Sequence, residues 1–115
     1  MYKRQHSYVA IIKKVIDGDT FDIMFDLGFH IQYQTRVRLN GIDVYETTLR
    51  ANTTPEEKKI GLRAKEFCNK LLLIKKVLVK THKDSKGKYG RYLVDIIVDG
   101  NNLAELLIEN GFRKP

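Results

Sequence analysis

The sequence predicts a small, mainly β fold with helices (α+β), its elements in the order β-β-β-α-β-β-α. Three observations predict it. Residues 8–40 hold three stretches of strand-type apolar pattern, parted by glycine-bearing turn signals. A proline-led capping signal at residues 53–57 then switches the apolar spacing to that of a helix. Two further Val/Ile-rich runs and a second short helix complete a chain of 115 residues, long enough to bury a core without staples.

The elements follow in order. YVAIIKKVI (8–16) is the first strand, and D-G-D-T (17–20) is a turn centred on Gly18. FDIMFDL (21–27) alternates, with Phe21, Ile23, Phe25 and Leu27 on one face and Asp22, Met24 and Asp26 on the other. HIQYQTRVRLN (30–40) alternates again: Ile31, Tyr33, Thr35, Val37 and Leu39 oppose His30, Gln32, Gln34, Arg36 and Arg38. These three strands are expected to form an antiparallel meander. Thr54 then serves as an N-cap, Pro55 opens the helix and Glu57 closes a capping box. Ile60, Ala64, Phe67 and Leu71 recur at helical spacing, which predicts an amphipathic helix to about Leu73. KVLVKTH (76–82) and RYLVDIIV (91–98) are strands four and five, separated by the polar loop KDSKGKYG (83–90). A second helix is expected over 102–110, with Leu103, Leu106 and Leu107 on one stripe and Gly111 as its C-terminal cap. Three strands, a helix and two strands are the arrangement of a five-stranded barrel of OB type. One domain over residues 1–115 is expected.

Composition narrows the function. Hydrophobic residues make up 43%, too many for a disordered tail. No apolar run approaches the roughly 18 residues that span a membrane. No apolar stretch follows the basic N-terminus before Val9, so no secretory signal is visible. That leaves an intracellular or phage- or plasmid-borne protein, or the mature form of a secreted one. A single cysteine, Cys68, rules out an internal disulfide and a cysteine-rich zinc site. It lies in an apolar helical pattern and reads as an inert thiol. His6, His30 and His82 lack metal-ligand spacing. The net charge of +7 favours polyanionic partners, or serves solubility alone. A monomer is expected.

Four places carry polar residues that the fold does not need. They are Asp17-Gly18-Asp19-Thr20, Asp43 with Glu46, Arg38, and Lys88-Tyr89-Gly90-Arg91. Each has a plain structural reading: a turn whose acids bond nearby amides, a solvated acid pair, a surface ion pair, an exposed basic turn. Phosphodiester chemistry would use all four together. A hard divalent cation takes carboxylate and carbonyl oxygens, arginines suit charge building on phosphate oxygens, and a carboxylate near the metal positions water. A tyrosine beside the groove can stack on a base or pack on a sugar. Asp19, Asp43, Glu46, Arg38 and Arg91 supply that set, although sequence separation does not show that they converge.

Three ordered motifs then give a resemblance. V-I-D-G-D-T (15–20), V-R-L-N-G-I-D-V-Y-E-T (37–47) and K-Y-G-R (88–91), with a D-G-x-x-x-x-E-x-L-[IV]-x-x-G pattern from Asp99 to Gly111, are similar to the signatures of the staphylococcal nuclease (thermonuclease) family. The resemblance implies an OB barrel bearing a calcium-dependent phosphodiesterase centre that acts on single-stranded DNA and RNA. Carried over position by position, it implies that Asp19 and Asp43 bind Ca²⁺ through carboxylates and Val44 through its carbonyl. Arg38 and Arg91 would grip the scissile phosphate, and Glu46 would be the general base or water-positioning group. Lys88 and Tyr89 would contact the flanking phosphate and sugar. The products implied are 3′-phosphates and 5′-hydroxyls, from cleavage of the P–O5′ bond.

Two departures stand out. The family's usual proline before the glutamate is Tyr45 here, which removes a fixed φ from the loop that aims Glu46. The sequence stops at Pro115, where the best-known member continues through tyrosine-bearing residues and a third helix. Part of the base pocket is therefore expected to be missing, or supplied by Phe112. The alternative function is a non-catalytic OB module that binds nucleic acid or protein. A decayed site, however, would not be expected to keep two arginines and three acids in register.

Overall fold

The computed structural model describes residues 6–45, 47, 54–73, 75–82 and 92–114. Among these residues lie six strands and two helices: β1 (His6–Asp17), β2 (Thr20–Asp26), β3 (Gln32–Leu39), α1 (Pro55–Leu72), β4 (Lys76–His82), β5 (Tyr92–Val98), β6 (Asn101–Asn102) and α2 (Leu103–Glu109). The strand order is β3-β2-β1-β4-β5-β6, and an additional β3–β5 pairing closes the first five into a barrel. All pairings are antiparallel except β3–β5, where Val37, Arg38 and Leu39 run beside Tyr92, Leu93 and Val94. The expected meander and OB-type barrel are therefore present, with the two-residue β6 as an addition.

Strand β1 makes the closure possible. Its first half pairs with β4 and its second half with β2, with register shifts between Ile12 and Lys14 and between Val15 and Asp17. Such bulges bend a strand and raise its twist, which lets one strand serve two sides of a barrel. Alternation fills the interior: Ala10, Ile12 and Val15 meet Phe21, Ile23 and Phe25, with Val37, Val79, Val94 and Ile96 completing the ring.

The long third strand departs from its simple alternation. Val37 and Leu39 are buried, but Ile31 and Tyr33 are exposed, as is Leu27 just after β2. Among the described residues β5 pairs with Val37–Leu39, and β3 before Val37 pairs with β2 alone.

Helix α1 starts as the capping signal requires. Thr54 accepts the Glu57 amide through its hydroxyl, and the Glu57 carboxylate accepts the Thr54 amide at 2.9 Å. Its core face is turned from the one expected. Gly61, Ala64, Cys68 and Leu72 are buried, whereas Ile60, Phe67 and Leu71 flank them half-buried. A line of small residues at the centre of the face lets the helix come close to the barrel end. Cys68 is fully buried there and lies 3.6 Å from the Gly18 carbonyl; burial, aided by nearby Asp19, pushes its thiol up to about 12.

Helix α2 buries Leu103 and Leu107 and ends as expected. Gly111 has φ 79°, its amide donates to Ile108 and the Phe112 amide donates to Leu107. This is the two-bond Schellman arrangement, which glycine favours because it has no Cβ to clash. Phe112 then packs its ring 5.5 Å from that of Phe67, so the tail is tied back to α1. Among the described residues no helix is long and apolar enough to cross a membrane.

Candidate active site

The site is built on the β1–β2 turn. Gly18 and Asp19 are the whole connection between the last strand pair, Asp17 and Thr20. Asp19 is buried and each carboxylate oxygen accepts one bond: Oδ1 from the Thr20 hydroxyl at 3.1 Å and Oδ2 from the Val44 amide at 3.1 Å. Its backbone carbonyl accepts the Leu39 amide at 2.8 Å. Burial raises the Asp19 carboxyl above its ordinary 3.8, against the pull of the Val44 amide and of Arg38. Asp17 does a matching job: its Oδ1 accepts both the amide (3.1 Å) and the hydroxyl (2.9 Å) of Thr47. The two acids of D-G-D thus hold the following loop at Val44 and at Thr47, on either side of Glu46.

Gly18 explains why glycine stands between them. A Cβ there would lie 2.8 Å from Ala64 Cβ on α1 and 2.8 Å from Val44 Cγ1. The helix, the turn and the loop meet at this point with no room for a methyl group.

Arg38 arrives from β3, with Thr20 and Leu93 as its ladder partners. Its Nη2 donates to Asp43 Oδ1 and lies 3.9 Å from Asp19 Oδ2. One guanidinium therefore faces two carboxylates from two different loops. The Arg38 side chain is 35% exposed and that of Asp43 64%, so the pair adds at most about 1 kcal/mol and opens readily. Arg36, two residues earlier on the same face, pairs instead with Asp22 at 2.8 Å, outside this cluster. A groove of about 370 Å³ opens beside the cluster, with Arg38, Asp43, Leu93, Arg113 and Lys114 among its walls. That volume falls within the usual range for small-ligand sites, about 300–1,000 Å³.

Of the residues singled out in the sequence, Asp19, Arg38, Asp43 and Val44 come together. Glu46, Lys88, Tyr89 and Arg91 lie outside the described residues, as do the loop 83–90 and most of the linker 47–55. Tyr92, which follows Arg91, pairs with Val37, the neighbour of Arg38. Among the described residues no three His, Cys, Asp or Glu side chains converge as a metal cluster. His82 is bonded to Asp95 at 2.6 Å and is the ladder partner of Leu93, and His30 is exposed.

Four contributors received no site role from the sequence: Asp17 and Thr47, which bond each other; Gly18, for its close approach; and Lys114, whose amide donates to the Asp43 carbonyl at 2.7 Å. The glycine between two acids was a visible signal for the first three. Nothing in the local sequence marks Lys114, because its partner lies 71 positions away in the chain.

Residues 36–114 match the family described as staphylococcal nuclease homologue. The chain is 38% identical over 111 residues to a thermonuclease of Staphylococcus intermedius, covering 96% of this chain and 60% of that protein. It is 28% identical over 109 residues to endonuclease YhcR of Bacillus subtilis, covering 91% of this chain and 9% of that protein. An uncharacterized protein of Methanocaldococcus jannaschii is 30% identical over 129 residues, covering 96% of this chain and 59% of that protein. The chain thus spans less than two thirds of the length of each of these relatives. With its barrel, its arginine between two loop acids and this match, the chain belongs to the staphylococcal nuclease homologue family.

Proposed function

We propose that this chain is a Ca²⁺-dependent nuclease that hydrolyses the P–O5′ bonds of single-stranded DNA and RNA, leaving 3′-phosphates and 5′-hydroxyls. The observation that carries the proposal is Arg38 poised between Asp19 and Asp43. A cation flanked by acids, in a protein of net charge +7, suits a polyanion that arrives with a metal ion. The relatives named for thermonuclease and endonuclease activity support the same direction.

The donor chemistry fits Ca²⁺. Carboxylate and carbonyl oxygens are hard ligands, and among the described residues no group of three His, Cys, Asp or Glu side chains offers a softer metal a site. Burial disfavours the charged form of Asp19, and a cation nearby would favour it. Asp19, Asp43 and the Val44 carbonyl would hold the ion. When bound, Ca²⁺ would supply positive charge beside the reacting phosphate and polarise the attacking water.

The chain's own groups do the rest. Arg38 exchanges its exposed contact with Asp43 for phosphate oxygens, and its two parallel N–H donors suit the charge that grows there. Arg91 shares that charge. Glu46 accepts a proton from the water as its oxygen bonds to phosphorus and the P–O5′ bond breaks; the 5′-oxygen leaves and takes up a proton. Lys88 and Tyr89 hold the neighbouring phosphate and sugar.

The test is cleavage of a single-stranded oligonucleotide with Ca²⁺ or with a chelator, followed by analysis of the ends. Ca²⁺-dependent cutting that leaves 3′-phosphates is expected. Glu46→Gln should stay folded and lose about 3 kcal/mol of transition-state stabilisation, roughly a hundredfold or more in kcat. A folded protein that binds the oligonucleotide but never cuts it would refute the proposal and mark a non-catalytic binding module.

A further inference from the structure

The loop that carries Asp43 and Val44 has little to stiffen it from within. N-G-I-D-V-Y-E-T (40–47) contains no proline, and Gly41 sits at φ 82° with open space around it. Yet Asp43 and Val44 must be set to within a fraction of an ångström if they are to act on a metal and a phosphate. The order comes from outside the loop.

Three contacts from the end of the chain supply it. Val44 forms an antiparallel bridge with Arg113. The Lys114 amide donates to the Asp43 carbonyl at 2.7 Å. The Lys114 ammonium lies 5.6 Å from the centre of the Tyr45 ring, within cation–π range. The tail itself is firmly based, because the Gly111 turn and the Phe112–Phe67 contact fix its near end to α2 and α1. On the other side of the loop, the Val44 amide is held by Asp19. The segment Asp43–Tyr45 is thus gripped between the D-G-D turn and the tail. Its position depends on both.

Resting on the nuclease activity proposed above, we infer that Lys114 is a positioning residue. With Tyr45 it forms a brace that holds Asp43 and Val44, and the chain leading to Glu46, in working geometry without touching the substrate. Tyr45 then has a defined part: its ring is the surface on which the brace closes.

A lysine beside a groove can also serve as an electrostatic attractor for nucleic acid, and the two roles separate in kinetics. The full chain is assayed with a fluorogenic single-stranded oligonucleotide and Ca²⁺, as wild type, Lys114→Gln, Lys114→Arg, Tyr45→Leu and the Lys114→Gln/Tyr45→Leu double variant. A brace predicts that Lys114→Gln and Tyr45→Leu each lower kcat roughly two- to fivefold with KM unchanged, the range that an exposed cation–π contact allows. Lys114→Arg restores the rate, since a guanidinium also rests on an aromatic face. The double variant falls no further than the worse single one, because either change breaks the same contact. Additive losses overturn the inference. So does a change confined to KM and its salt dependence, with Tyr45→Leu silent.

A second readout does not depend on catalysis. In metal-free protein, amide hydrogen exchange at Val44 and Lys114 should quicken by a similar factor in Lys114→Gln and Tyr45→Leu at unchanged global stability. Unchanged exchange overturns the brace even if the wild type proves to be an active nuclease. Quickened exchange in a protein without nuclease activity retires the proposed function and leaves the brace standing as a structural fact.

Discussion

Gly18→Ala is the sharpest test of how the site is assembled. The added Cβ would stand 2.8 Å from both Ala64 Cβ and Val44 Cγ1, about 0.6 Å short of ordinary contact, which begins near 3.4 Å. Neither neighbour is the loose end of a long side chain. Ala64 is fully buried on α1 and Val44 is 5% exposed. Relief therefore requires the helix, the turn or the loop to move. Overpacking of this kind costs about 1–3 kcal/mol, and loss of glycine's freedom in the unfolded chain returns about 0.4–1 kcal/mol. The net is a loss of about 1–2 kcal/mol, or roughly 4–8 °C in Tm for a chain of this size. Thermal unfolding followed by circular dichroism reads it directly. Gly18 is not among the positive-φ glycines, so backbone strain would not produce the loss. The partner test is Val44→Ala, which removes Cγ1: the double variant should be at least about 0.5 kcal/mol more stable than the two single effects predict. Activity should fall roughly tenfold in Gly18→Ala, because Val44 and Asp19 are displaced together. A Gly18→Ala protein as stable as wild type, or more so, would refute the three-way packing of turn, helix and loop.

Two further outcomes follow from the charges and the thiol. In chelator, Asp19 titrates higher in the folded than in the unfolded protein, so the folded state binds the extra proton between the two values. Its contribution to stability is therefore lost as pH rises from 3.8 through its raised folded value, and Asp19→Asn should remove that slope in urea titrations across acid pH; an identical slope in the variant would exclude Asp19 as its source. Cys68, buried and with its thiol pushed up to about 12, should react with a disulfide reagent only at the rate of unfolding, whereas fast labelling of folded protein would contradict its burial.

Much of the fold was legible in the sequence because its signals are local. The capping box of α1 needs only Thr54 and Glu57, three residues apart, and the Gly111 cap needs only the end of α2. Alternation exposed the inward faces of β2 and of the second half of β3, Val37 and Leu39. It failed at Ile31 and Tyr33, since a strand's apolar face is buried only where the core or a partner covers it, and both side chains are exposed here. The helical stripe was displaced for a related reason. Large apolar residues dominate a periodicity count, but the tightest approach of α1 falls on Gly61, Ala64 and Cys68, where small side chains let the helix near Gly18.

The candidate site divides in the same way. The sequence by itself determined which residue types were available: acids at Asp17, Asp19 and Asp43, a guanidinium at Arg38, and a glycine between two acids. The motif resemblance also separated Arg38 from Arg36, and in the structure Arg36 pairs with Asp22. Only the tertiary structure decided that Asp17 and Asp19 each grip one side of the same loop, and that the tail closes on Tyr45 from behind. The reason is the geometry of closure. A barrel brings β3 beside β5 and sets the β1–β2 turn against α1, so contacts form between residues 25 to 71 positions apart, and no local pattern of charge or apolarity encodes which of them will meet.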